Sequence, residues 1–172
     1  INSNSILSTK IKTIDDIRVA GRFGVPFITY KGTPKHISPK GIVIAIHGRS
    51  TNPEYVFGIN NSKSYCREFG NYWLNEGYIV YAPQVDWSAG LPLVKLNYSQ
   101  VGTDLAKLID LITYIKNTYK NNLPIIACGI SHGAILAEII GVISNNIDAV
   151  ISICGTTRGD LFDRYKAGIL SD

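Results

Sequence analysis

A doubly wound, mostly parallel α/β sheet is the fold class the sequence predicts, and three observations predict it. Continuous apolar runs at 42–46, 78–82 and 125–128 read as buried strands of the kind parallel sheets contain, and 149–153 reads as a further strand. Stretches with helical spacing separate them, the pattern of right-handed βαβ units. Third, Gly129-Ile130-Ser131-His132-Gly133 lies directly behind one of those runs and directly ahead of Ala134-Ile135-Leu136-Ala137, so that a glycine-bracketed serine joins a strand to a helix.

Taken in order, residues 17–30 mix β-branched side chains with Gly21, Gly24 and Pro26, which predicts an antiparallel hairpin at a sheet edge. Pro34 and Pro39 punctuate the loop that follows. The run Ile42-Val43-Ile44-Ala45-Ile46 is the first buried strand and ends in His47-Gly48-Arg49-Ser50. Residues 63–76 are expected to be helical, closed at Gly77, and to deliver the chain to the strand at 78–82. A loop over 84–97 carries Asp86, Trp87 and Gly90. Leu105, Leu108, Ile109, Leu111, Ile112 and Ile115 recur at helical spacing and predict a helix over 104–119, with Thr103 or Asp104 as its cap. The strand at Ile125, the serine turn, a helix to about Ser144 and the strand at 149–153 complete about six strands, after which the sheet is expected to be truncated.

Composition bounds the function classes. The chain has 172 residues, 45% of them apolar and 17% charged, which fits one domain over 1–172 with a sizeable core. Its net charge of +4 is scattered, with no basic run of the kind that grips nucleic acid. No apolar stretch reaches the ~18 residues of a membrane span. His and Cys never approach ligand spacing and no phosphate-binding glycine pattern occurs, so neither metal nor cofactor is expected. Cys66, Cys128 and Cys154 are too few for a disulfide framework; Cys128 and Cys154 lie in apolar runs and read as small buried hydrophobes. The chain begins at Ile1 and contains no methionine, from which processing of a longer polypeptide is expected; Asn2-Ser3-Asn4-Ser5 resembles a mature secreted terminus, and compartment stays open with secretion slightly favoured.

The serine turn carries the chemistry. A turn this tight forces strained backbone angles on Ser131, and glycines two before and two after it keep side chains from colliding. The hydroxyl would then stand above the sheet at a helix N-terminus, where amides and dipole favour developing negative charge. A hydroxyl is a poor nucleophile near pH 7, so it needs a base to take its proton and donors to hold the oxyanion.

The strand ending in His47-Gly48, the strand at 78–82 before a Pro-containing loop, and Gly129-Ile130-Ser131-His132-Gly133 together resemble the N-terminal two thirds of an α/β-hydrolase, over about residues 17–158. Within that superfamily the serine esterase and depolymerase-like branch looks nearer than branches with a cysteine at the turn. The resemblance implies a nucleophile at Ser131 and an oxyanion hole made by the backbone amides of His132 and Arg49. It implies ester hydrolysis through an acyl-enzyme on a small-molecule or polymeric substrate, with a peptidase of the same fold as the chemical rival. A non-catalytic hydrolase-like binding domain is the alternative from a different class.

One part is missing from this reading. His36 reads as a solvated loop residue, His47 as a ring that bonds backbone and shapes the oxyanion loop, and His132 as a residue whose amide is the functional part. In a serine hydrolase of another fold, loss of the histidine costs about 10⁶ in turnover, or roughly 8 kcal/mol. A missing C-terminal segment or second chain is therefore expected to supply the base. Asp160 and Asp163 follow the last strand, where some family members carry the acid, but a solvated helix explains them at least as well; Asp148 reads as a turn cap. Trp87, Leu91 and Leu93 are expected either to line an acyl pocket at the carboxyl edge of the sheet or to staple a long loop. Tyr55 and Phe57, just after the oxyanion loop, are placed to cover the site.

Overall fold

Among the described residues, seven strands form one mixed sheet in the order β1-β2-β3-β5-β4-β6-β7. The structure is a computed structural model that describes residues 3–8, 12–35, 37–60, 64–66, 68–85, 99–120 and 123–155. Strands β1 (Ser3–Ser8), β2 (Lys12–Val19) and β3 (Phe27–Pro34) run antiparallel and join the rest of the sheet through an antiparallel β3–β5 pairing. Strands β4 (Ile42–Ile46), β5 (Ile79–Pro83), β6 (Ile125–Ile130) and β7 (Ala149–Ile153) are parallel. The expected hairpin is longer than its apolar residues suggest, because Lys12 pairs with Pro34 at its open end. Strand β1 adds a seventh strand that the polar sequence Ser3-Asn4-Ser5 did not signal.

Helices α1 (Phe69–Asn75), α2 (Gln100–Thr118) and α3 (His132–Ile143) connect the parallel strands. Alternate residues of β4 and β5 point to opposite faces, and both faces are covered. On one, Ile42, Ile44, Ile46, Ile79 and Tyr81 pack against Leu108, Leu111 and Ile115 of α2 and Leu136 and Ile140 of α3. On the other, Val43, Ala45, Val80, Ala82 and Cys128 pack with Leu74 of α1 and with Val56 and Phe57 of a 3-10 turn, Pro53–Phe57. This double burial makes the runs uniformly apolar. Strand β7 is different: it is exposed or half-buried along its length, and Val142 and Ile143 at the end of α3 are exposed beside it.

Two helix starts differ from expectation for local reasons. Helix α1 begins at Phe69, because Glu68 before it has φ 55°, a left-handed angle that interrupts helical winding; it closes as expected at Gly77, whose φ is 90°. Helix α2 begins four residues earlier than 104, capped by Ser99, whose hydroxyl oxygen accepts from the Gly102 amide at 3.1 Å. Neither Thr103 nor Asp104 is the cap. The Thr103 hydroxyl donates to the Ser99 carbonyl at 2.9 Å, and Asp104 lies one turn inside the helix, fully buried. Asp148, expected to cap a turn, instead joins two strands: its carboxylate accepts from the Ile125 amide at 2.8 Å, while its own amide donates to the Ile125 carbonyl at 2.8 Å.

Candidate active site

Ser131 occupies the turn between β6 and α3 with φ 55° and ψ −118°, angles outside the allowed regions for an L-residue. Two glycines permit the turn. A Cβ at Gly129 would collide with the backbone of Gly133 and Ala134, and one at Gly133 would collide with the carbonyl oxygens of Ile46 and His47. The second contact places the turn in space: the start of α3 is pressed against the end of β4, where Ile46 stands in register with Gly129 of β6. From the other side, the Ser131 amide donates to the Ile153 carbonyl of β7 at 2.9 Å. Ser131 is half-buried, at the carboxyl edge of the parallel strands.

The loop after β4 is ordered by His47. Its fully buried ring accepts a hydrogen bond at Nε2 from the Val85 amide at 3.2 Å, which leaves the proton of the neutral ring on Nδ1. Nδ1 lies 2.9 Å from the Gly48 carbonyl oxygen and 3.1 Å from Thr51 Oγ1. The Thr51 hydroxyl donates to the same carbonyl at 2.7 Å. The ring thus ties the end of β4 to the chain just after β5 and curls the loop that carries Arg49. Tyr65 closes over this loop, its ring against Gly48 and its hydroxyl donating to the Arg49 carbonyl at 2.9 Å. Among the described residues, nothing accepts from the Arg49 amide.

His132, the first residue of α3, faces α2. Its Nε2 stands 3.5 Å from Oδ2 of Asp104, near enough for ionic attraction if the ring is protonated but outside hydrogen-bond geometry, and among the described residues Nε2 has no hydrogen-bond partner. Oδ1 of Asp104 is 3.0 Å from the Lys107 ammonium, itself buried. A carboxylate, an ammonium and an imidazole therefore meet behind the serine turn.

Of the residues expected at the site, the structure brings together the turn of Ser131 and His132 with the end of β4 that leads into Arg49. Tyr55 is half-buried on the 3-10 turn, whereas the aromatic ring against the Gly48-Arg49 loop is that of Tyr65. Phe57 is buried in the core beneath α1, so it is not a cover for the site. Cys154 is exposed, not a buried hydrophobe, because β7 is the outermost of the described strands; Cys66 and Cys128 are buried. His36, Asp86, Trp87, Leu91, Leu93, Asp160 and Asp163 lie outside the described residues. A shallow hollow between the hairpin turn and α2, lined by Phe23, Val25, Thr103, Lys107 and Asp110, does not include Ser131. Among the described residues no helix is long and apolar enough to cross a membrane.

No protein-family model and no curated protein sequence matches the chain. Solved structures do. The esterase Pf2001 from Pyrococcus furiosus superposes with a TM-score of 0.66 at 20% identity, over 86% of this chain and 53% of that one. An acetyl xylan esterase from Paenibacillus sp. R4 gives 0.70 at 16% identity over 99% and 58%, respectively. A cold-adapted esterase from an Arctic intertidal metagenomic library gives 0.66 at 12% identity over 87% and 64%. The chain thus spans between about half and two thirds of the length of these proteins. Its strand order, the strained serine between β6 and α3 and these superpositions agree, and the chain has the α/β-hydrolase fold.

Proposed function

We propose that this chain carries the nucleophile half of a serine esterase, with Ser131 attacking the acyl carbon of a carboxylic ester. The observation that carries the reading is the backbone of Ser131, held at φ 55° and ψ −118° between two glycines that tolerate no Cβ. Strain of this kind costs on the order of 1–3 kcal/mol and persists only where the surroundings impose it. That the superposed proteins are esterases supports the same chemistry.

In the proposed reaction the Ser131 hydroxyl attacks the ester carbonyl, and the oxygen that gains charge is received by the amides of His132 and Arg49. The Ser131 proton passes to a general base and then to the departing alcohol; water releases the acyl group by the reverse sequence. Neither described histidine offers that base: Nε2 of His47 already accepts from the Val85 amide, and Nε2 of His132 is turned to Asp104. The base is placed outside the described residues, a reading that the greater length of the superposed esterases supports.

Fluorophosphonate labelling of the full-length protein, with mass mapping of the modified peptide, tests this. Labelling at Ser131, abolished in Ser131→Ala, together with hydrolysis of short-chain nitrophenyl esters, is the expected result. Ester turnover without amide turnover separates it from the peptidase reading. An unlabelled Ser131 in folded full-length protein would favour a binding domain and end the proposal.

A further inference from the structure

We propose that Asp104 is a positioning residue for the Ser131 site, acting through the ring of His132; this rests on reading Ser131 as the nucleophile. Asp104 is fully buried and Lys107 nearly so, yet they occupy the stripe of α2 that otherwise buries Leu108, Leu111 and Ile115. An apolar pair would join α2 to α3 at least as firmly, since burying two charges sacrifices much of what their attraction returns. What the charged pair supplies is direction. Lys107 holds Oδ1 at 3.0 Å, which turns Oδ2 toward Nε2 of His132 at 3.5 Å.

His132 matters to the site through its backbone. Its amide is a proposed oxyanion donor and is bonded in sequence to the nucleophile, and its own side chain reaches Asp104 of α2. Anchoring the ring fixes the first residue of α3, and with it the direction of the amide. The 3.5 Å gap is a few tenths of an ångström beyond a hydrogen bond, and Nε2 is buried without a hydrogen-bond partner among the described residues. Closing the gap as substrate docks would complete that bond when the amide takes up charge, a tightening that active-site contacts commonly show.

The test uses the full-length protein and three variants: Asp104→Asn, His132→Gln and the double substitution. The readouts are the second-order rate of fluorophosphonate labelling at Ser131, kcat and KM on a nitrophenyl ester, and Tm. Each single variant is expected to label about 10-fold to 100-fold more slowly, the range that small misplacements of catalytic groups produce. The loss should fall in kcat with KM unchanged. The double variant should be no slower than the worse single, because both remove one interaction. A pair with a purely structural role would lower Tm and leave labelling unchanged well below Tm, and that result overturns the proposal. Should Asp104→Asn fail to fold, His132→Gln alone decides, since its ring is partly exposed. Absence of labelling in the wild type would defeat the nucleophile reading itself, an outcome distinct from equal rates in wild type and variants.

Discussion

The amide of Ser131 donates to the carbonyl of Ile153 across 2.9 Å, so the serine turn is held by the neighbouring strand β7 as well as by its own glycines. A residue at φ 55° and ψ −118° stays there only because contacts on both sides leave no alternative.

Ser131→Gly should therefore stabilise the protein. Relief of backbone strain outweighs the extra entropy that glycine brings to the unfolded chain, and the expected gain is about 1 kcal/mol. Urea denaturation of the variant checks it, with a higher midpoint and an unchanged slope as the expected signature.

Gly133→Ala has the opposite sign. Its Cβ would collide with the carbonyl oxygens of Ile46 and His47, both backbone atoms of a central strand and the loop it enters. A loss of at least ~1–3 kcal/mol is expected from overpacking, and the midpoint of thermal unfolding measures it.

Much of this was legible beforehand, and particular residues show why. Ile42 to Ile46 read as a buried parallel strand because both of its faces are covered, one by α2 and α3, the other by α1 and the 3-10 turn. The Ser131 turn was visible through its glycines, each of which answers to a specific backbone collision. Strand β1 was missed because pairing to β2 at the sheet edge asks little hydrophobicity of it. The buried charges were missed although a signal existed: Asp104 precedes Leu108, Leu111 and Ile115 by 4, 7 and 11 positions, on the apolar stripe where a carboxylate has no reason to be unless something faces it. Tyr65 could not be foreseen, since only the curl of the loop after β4 brings it over Gly48.

Asp148→Ala is expected to cost about 1–3 kcal/mol, because it leaves the Ile125 amide without its side-chain acceptor at the mouth of β6. Asp148→Asn retains an acceptor oxygen and should recover most of that loss. Comparing the two by chemical denaturation separates the hydrogen bond from the charge.

Thiol chemistry should distinguish the cysteines. Burial pushes the Cys128 thiol up from 9.0 to about 11, whereas Cys154 is exposed. At pH 8 a maleimide should modify Cys154 first and reach Cys128 only as the protein unfolds. The raised value also sets a sign: the folded state keeps a proton on Cys128 that the unfolded chain gives up. That contribution to stability is fully present below pH 9 and lost as pH rises toward 11. Cys128→Ala should flatten stability over that window, measured by denaturation at several pH values.

The contact of Gly133 with the carbonyls of Ile46 and His47 has a mechanical consequence. Main chain rests on main chain there, with no intervening side chain whose rotamers could absorb a shift, so the serine and the loop bearing Arg49 move together or stay put. Under the proposed esterase reading, an ester arriving above them would encounter dipoles already aimed, and little of its binding energy would be diverted into rearranging its host.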